Sequence, residues 1–259
     1  MKKFFAVVTL LSVIALGGFA AAPKKKSTWK QAKAPAALVV KAGEEHSYGD
    51  DLTTREYSLK TKKVDIKVEY PVAGEPVIVE ALRNYIKDAV NQNYTGSLSS
   101  PEDLIKSAVK ALDRSEELDQ EIKVVYNGPH SISVSDDGYF YPEGAAHGMP
   151  WSVGKSFLKS NGSTFEISML PPIEKFLPQI ANGLAQYLSV PVSDLKDELF
   201  VWDTPDFQYP STVYLTDEGI KLIWGPYEIG PYSIGMPTVT IPATSANLQL
   251  LSPQALPFF

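Results

Sequence analysis

Cysteine is absent from all 259 residues. That removes disulfides, thiolate metal sites, cysteine nucleophiles and lipid-attachment cysteines, and leaves the folded state to depend on an apolar core. Histidine is scarce: His46, His130 and His147 are the three. No two lie three or four residues apart, the spacing that sets ligands together on a helical face, and no HExxH occurs, so no metal is expected. Basic residues are in the minority, 24 Lys and Arg against 30 Asp and Glu, for a net charge of −6. A nucleic acid needs a basic face, so no nucleic-acid partner is expected. A Gly-x-Ser-x-Gly elbow and a GxxxxGK(S/T) phosphate loop are missing too. Neither a catalytic residue nor a cofactor is therefore expected. The paired carboxylates Asp136-Asp137 and Glu116-Glu117 read as solvated surface.

The chain has no apolar run of the roughly 20 residues that span a bilayer. Its run from Phe4 to Phe19 has 16 residues, follows Lys2 and Lys3, and gives way to small residues. This is the layout of a secretory signal peptide over residues 1–22, cleaved after Ala20 or Ala22, with an uncleaved anchor as the alternative. The expected location is periplasmic or extracellular, with no lipid anchor and no transmembrane helix once the leader is removed. Residues 23–45 are rich in Ala, Lys and Pro and read as a flexible linker.

What remains has alternating and helical patterns in blocks. Val64, Ile66, Val68 and Tyr70 alternate with Asp65, Lys67 and Glu69, a half-buried strand that Pro71 should end. Pro76 suits a first helical turn, after which Ile78, Leu82, Tyr85, Ile86 and Ala89 share a face. Ser100-Pro101-Glu102-Asp103 opens a second helix, with Ser100 as its cap. Strands are expected at 122–126, 132–141 and 152–158. Asn161-Gly162 turns the chain so that 164–167 runs back along the last of them. Pro178 starts a helix carrying Ile180, Leu184 and Leu188, and a short helix follows Ser193. Residues 213–224 form a hairpin about Asp217-Glu218-Gly219, and 238–241 a final strand. Blocks of strands and helices favour α+β, two small intertwined subdomains of antiparallel sheets packed with a few helices. The subdomains are expected at 46–139 and 140–242, with a tail at 243–259.

The segment YPEGAAHGMPW, Tyr141 to Trp151, places a histidine among small residues with aromatics at each end. Glycines at 144 and 148 relax the backbone. A neutral imidazole can donate from one nitrogen and accept on the other, so His147 is expected to tie two loop backbones together. Tyr141 and Trp151 cluster around this loop, and Tyr227 and Tyr232 around a second Gly/Pro-rich loop at 225–237. Aromatics on alternating strands are more often core; if these are exposed instead, they stack on sugars or protein partners, and with His147 they are the candidate ligand-binding residues.

Three segments carry a resemblance: YPEGAAHG, then SNGSTFEISML, then YLTDEGIKLIWGPYEIGPYSIGMPTVTIP. Together they resemble the extracytoplasmic domain of unknown function found in RsiV-type lysozyme-sensing anti-sigma factors and PdaC-type peptidoglycan deacetylases. The matching positions are Gly144, Ala146, His147 and Gly148; Asn161 and Gly162; and Pro226, Tyr227, Glu228, Ile229, Pro231, Tyr232 and Gly235. The match covers roughly residues 140 to 242, and 46 to 139 resembles the strand–helix domain that precedes it in that family. The resemblance implies an α+β fold outside the cytoplasm. It also implies a partner of lysozyme type or a peptidoglycan fragment. Only Met1 to Lys3 precede the apolar run and no HxxxH occurs, so the expectation is the sensing or accessory module alone. The expected function is an exported, non-enzymatic domain binding a cell-envelope or protein ligand. The alternative is a hydrolase of envelope polymers with His147 as general base beside a serine or carboxylate.

Overall fold

Alternation around Val64 builds the centre of a six-stranded sheet. The structure is a computed structural model describing residues 37–113 and 116–259. The signal peptide expected at 1–22, and the linker as far as residue 36, lie outside the described residues. The sheet runs β1 (Lys41–Ser47), β2 (Leu52–Lys60), β3 (Val64–Gly74), β4 (Glu117–Asn127), β5 (Ser131–Tyr141) and β6 (Met149–Leu158), paired in that order. Between β3 and β4 the chain forms α1 (Pro76–Asn91) and α2 (Pro101–Ala111). Inward residues of β2 to β5 meet Ile78, Leu82 and Ile86 of α1 and Leu104, Ile105 and Ala108 of α2 in one apolar cluster.

A second cluster lies around a three-stranded sheet of β7 (Thr212–Leu215), β8 (Gly219–Ile223) and β9 (Thr238–Pro242). Against it packs α3 (Leu177–Leu188), which buries Ile180, Ala181, Leu184 and Ala185. Two short helices, α4 (Leu195–Glu198) and α5 (Ser245–Leu248), complete the α+β fold.

Several expectations change. β3 and β4 pair in parallel, Val64 opposite Leu118 through Val68 opposite Ile122, so the large sheet is mixed rather than antiparallel. Two helices lie between these strands, and a crossover of that length returns the chain in the same direction. β3 continues through Pro71 to Gly74, because the ladder with β2 shifts register beside Pro71 and makes no demand on its missing N–H. Ser100 caps α2 through its carbonyl, not its side chain. The return strand at 164–167 reduces to one bridge, Phe157 to Thr164, before a 3-10 turn at Ile167–Met169. β1 occupies the last part of the linker span and is exposed throughout. The sheets do not divide at residue 140, since β5 and β6 complete the first sheet. The tail at 243–259 is packed: Leu251, Ala255 and Phe258 are buried in the second cluster.

The two sheets meet along serines. Ser131, Ser133 and Ser156 project from β5 and β6 and are fully buried. Ser156 and Ser133 share a hydroxyl hydrogen bond of 2.7 Å, and the Leu215 N–H donates to Ser156 Oγ at 2.7 Å. Ser131 Oγ donates to the Phe258 carbonyl at 2.8 Å. Gly154 completes the seam, since a Cβ there would collide with the Tyr214 ring. Phe258 meets Phe165 edge-on, with centroids 5.4 Å apart.

Asp136 is not solvated. It is 7% exposed on the helix-facing side of β5, where Gln120 Nε2 donates to its Oδ1 at 2.9 Å. Burial pushes its carboxyl up to about 6, against hydrogen bonds that pull it down. Asp137 points to the other face and accepts from Ser152 and Ser135. Where β3 and β4 part beyond Val68, the Glu69 carboxylate accepts the Val124 N–H at 2.7 Å and the Tyr48 hydroxyl at 2.9 Å.

Two outcomes follow from this packing. Phe258→Ala is expected to cost about 3–5 kcal/mol, read from urea unfolding. The folded state holds the Asp136 proton more tightly than the unfolded chain, so its contribution is complete below about pH 4 and is lost as pH rises to about 6. Above that the ionised form costs on the order of 2–3 kcal/mol. Asp136→Asn keeps the acceptor for Gln120, so the variant should gain stability over wild type progressively from pH 4 to 6 and keep that gain at pH 7.

Candidate functional site

β5 ends in Tyr139 and Tyr141, and both brace the loop that leads to β6. The Tyr141 hydroxyl donates to the Ala145 carbonyl at 2.8 Å. The Gly148 N–H donates to the Tyr139 hydroxyl at 3.1 Å, and a Cβ at Gly148 would meet the same ring. The Gly148 carbonyl then accepts twice, from the Tyr232 hydroxyl at 2.9 Å and from His147 Nδ1 at 3.0 Å. A carbonyl can only accept, so Nδ1 carries a proton, and in the neutral ring Nε2 is then an acceptor. The Tyr227 hydroxyl donates to it at 3.3 Å.

The opposing loop follows β8. Buried Trp224 anchors it by donating from Nε1 to the Gln208 carbonyl at 3.2 Å. Gly225-Pro226-Tyr227-Glu228 then forms a turn closed by the Glu228 N–H to the Gly225 carbonyl at 3.1 Å. Tyr227 has φ +66° at its third position, with proline at the second, the type II arrangement that favours glycine at the third. The Glu228 carboxylate locks the turn, accepting the Gly225 N–H at 2.6 Å and the Ser211 N–H at 2.9 Å. Tyr232 begins a 3-10 turn and is partly buried.

These loops bring three rings together. His147 and Tyr232 have centroids 4.2 Å apart, Tyr227 and Tyr232 5.7 Å, and His147 and Tyr227 6.4 Å, all inclined by 32° to 35°. Of the five candidate residues, His147, Tyr227 and Tyr232 form this cluster, and Tyr141 fastens the loop from behind. Trp151 lies elsewhere, on β6 with its ring over Gly138. His147 does not tie two loop backbones: its ring bonds the adjacent Gly148 carbonyl within its own loop and reaches the far loop only through the Tyr227 side chain, and it stays exposed. Neither a serine nor a carboxylate is among the hydrogen-bond partners of its ring in the described residues; the group on Nε2 is the Tyr227 phenol.

Two further aromatics border the second loop. The Phe200 N–H donates to the Ile229 carbonyl at 2.8 Å and its side chain is 63% exposed. Tyr187, 42% exposed, donates from its hydroxyl to the Ile234 carbonyl at 3.1 Å. Neither was a candidate. Tyr187 carries no signal beyond a polar position on α3, and Phe200 follows a helix too short to show a period. Behind Tyr139 lies an open cleft of about 270 Å³, walled by Lys60, Asp65 and Asp119 among others. Lys60 and Asp65 pair with each other there. No three His, Asp or Glu side chains converge as a metal site among the described residues.

The residues around the second loop are also where the chain is similar to a known family. Residues 167–244 match the family model described as a protein of unknown function, DUF3298. The matched segment runs from the 3-10 turn at Ile167 through α3 and the small sheet, and it includes Tyr227 and Tyr232 but not His147. Two crystal structures of DUF3298 family members share the fold. One, from Bacteroides fragilis, is 17% identical with a TM-score of 0.62, over 85% of this chain and 96% of that one. Another, from Pseudomonas aeruginosa PAO1, is 20% identical with a TM-score of 0.53, over 84% and 95%. No curated protein matches in sequence.

Because His147 and Tyr232 share the Gly148 carbonyl, their contributions should couple. Tyr232→Phe and His147→Ala are each expected to lose about 1 kcal/mol in urea unfolding. The double variant should depart from the sum of the two by about 0.5 kcal/mol or more.

Proposed function

We propose that this protein is an exported, non-enzymatic binding module for a cell-envelope or protein ligand, and that the His147–Tyr227–Tyr232 cluster is where the ligand rests. The observation that carries this reading is Tyr227. Its ring is 51% exposed on a turn that Glu228 holds at two backbone N–H groups. A rigid aromatic on a fixed loop gives contact area at small entropic cost. The leader-like N-terminus supports export. The resemblance to RsiV-type and PdaC-type extracytoplasmic segments supports a lysozyme-like protein or a peptidoglycan fragment as the ligand. Among the described residues no helix is long and apolar enough to cross a membrane.

Titration calorimetry of the folded protein against lysozyme and against soluble muropeptides tests the reading. Binding to one of them, weakened at least tenfold in His147→Ala or Tyr227→Ala, is the expected outcome. No heat with either probe would end the specific version. Release of soluble fragments from peptidoglycan, lost in His147→Ala at unchanged melting temperature, would mark the protein as a hydrolase instead.

A further inference from the structure

Tyr227 occupies a position that its own backbone disfavours. In the left-handed region a side chain costs about 1–2 kcal/mol relative to glycine, and a bulky residue there is an outlier. Burial does not offset this, because half of the ring faces solvent. Its hydroxyl gains one neutral hydrogen bond, at 3.3 Å to His147. Its ring also meets Tyr232 at 5.7 Å and His147 at 6.4 Å, but the exposed half gains nothing from the chain, so the strain points to a contact outside it. Strain of this kind concentrates at ligand clamps.

The surroundings narrow the ligand. Tyr232, partly buried and 5.7 Å away, backs the Tyr227 ring, while Tyr227 is the more exposed of the two. An exposed aromatic face accepts either a cation or the C–H face of a sugar. A cation would be favoured further by a free carboxylate beside the ring. The acid on the same turn, Glu228, is engaged by the Gly225 and Ser211 N–H groups. Both phenols donate inward, Tyr227 to His147 and Tyr232 to the Gly148 carbonyl, so their oxygen lone pairs remain to accept from ligand hydroxyls. Phe200 and Tyr187, both exposed, are bonded to the same loop at Ile229 and Ile234. Building on the binding role assigned to this cluster, we infer that Tyr227 is its stacking residue and that the ligand is an uncharged pyranose glycan.

The test is calorimetric titration of the full chain with the N-acetylglucosamine tetramer, alongside lysozyme and a free peptidoglycan stem peptide. Wild type should bind the tetrasaccharide with a Kd of roughly 0.1–1 mM, the weak range of a few stacking contacts. Tyr227→Phe should stay within about threefold, since the ring is kept. Tyr227→Gly, and Tyr227→Asn as a second residue that tolerates the left-handed region, should each lose at least tenfold in affinity, with melting temperature within about 2 °C of wild type. Unchanged affinity in both variants would overturn the role of Tyr227. Binding of lysozyme or the stem peptide without the tetrasaccharide would overturn the glycan and leave the binding module standing. Silence toward all three would overturn both.

Discussion

A short row of hydroxyls holds the two sheets of this protein to each other. Ser131, Ser133 and Ser156 are buried where apolar residues would be expected, and each has a partner across or along the seam. Small side chains let the second sheet approach closely, as the Tyr214 ring against Gly154 shows. Hydrogen bonds in so dry a place are strong while satisfied and costly if left open. The seam therefore fixes the position of β7 on β6, and through it the hairpin that leads to the Tyr227 loop. The distance between the two loops of the ring cluster is inherited from those serines.

Much of the architecture was legible. The period-two alternation of Val64 to Tyr70 and the helical spacing from Ile78 to Ala89 each reflect a single buried face, which a local pattern can report. Pairing is not local. Nothing in the sequence of β3 or β4 announces that they run in parallel; the two helices between them only make room for it. Asp136 misled for a related reason. A doublet of aspartates reads as polar surface, yet on a strand the two point to opposite faces, and here one face is covered by α1 and the other is lined by Ser135 and Ser152.

The site was legible in its residue types and not in its geometry. His147, Tyr227 and Tyr232 stood out because Gly and Pro surround them, and such punctuation marks loops. That Trp151 would sit over Gly138, away from them, depended on the register of β5 and β6, which pairs those two residues directly. The positive φ of Tyr227 was hidden because type II turns advertise themselves by glycine at that position, and here the glycine is missing. Phe200 and Tyr187 join the surface through backbone carbonyls of another loop, a relation that no sequence window contains.

The mixed sheet also shapes how the molecule assembles. β1, β2 and β3 are joined by short connections, and so are β4, β5 and β6, the longest being the loop from Pro142 to Gly148, so each triplet pairs with near neighbours in the chain. The joint between them is different: Val64 and Leu118 pair across a segment that forms two helices. Such a contact carries a large loop-closure penalty before it returns any stabilisation. Glu69, filling the gap where the parallel ladder gives out, can engage the Val124 amide only once that joint has closed. The seam through the middle of the large sheet is thus the strand pairing whose closure spans the longest stretch of chain, and the one that pays the largest entropic cost.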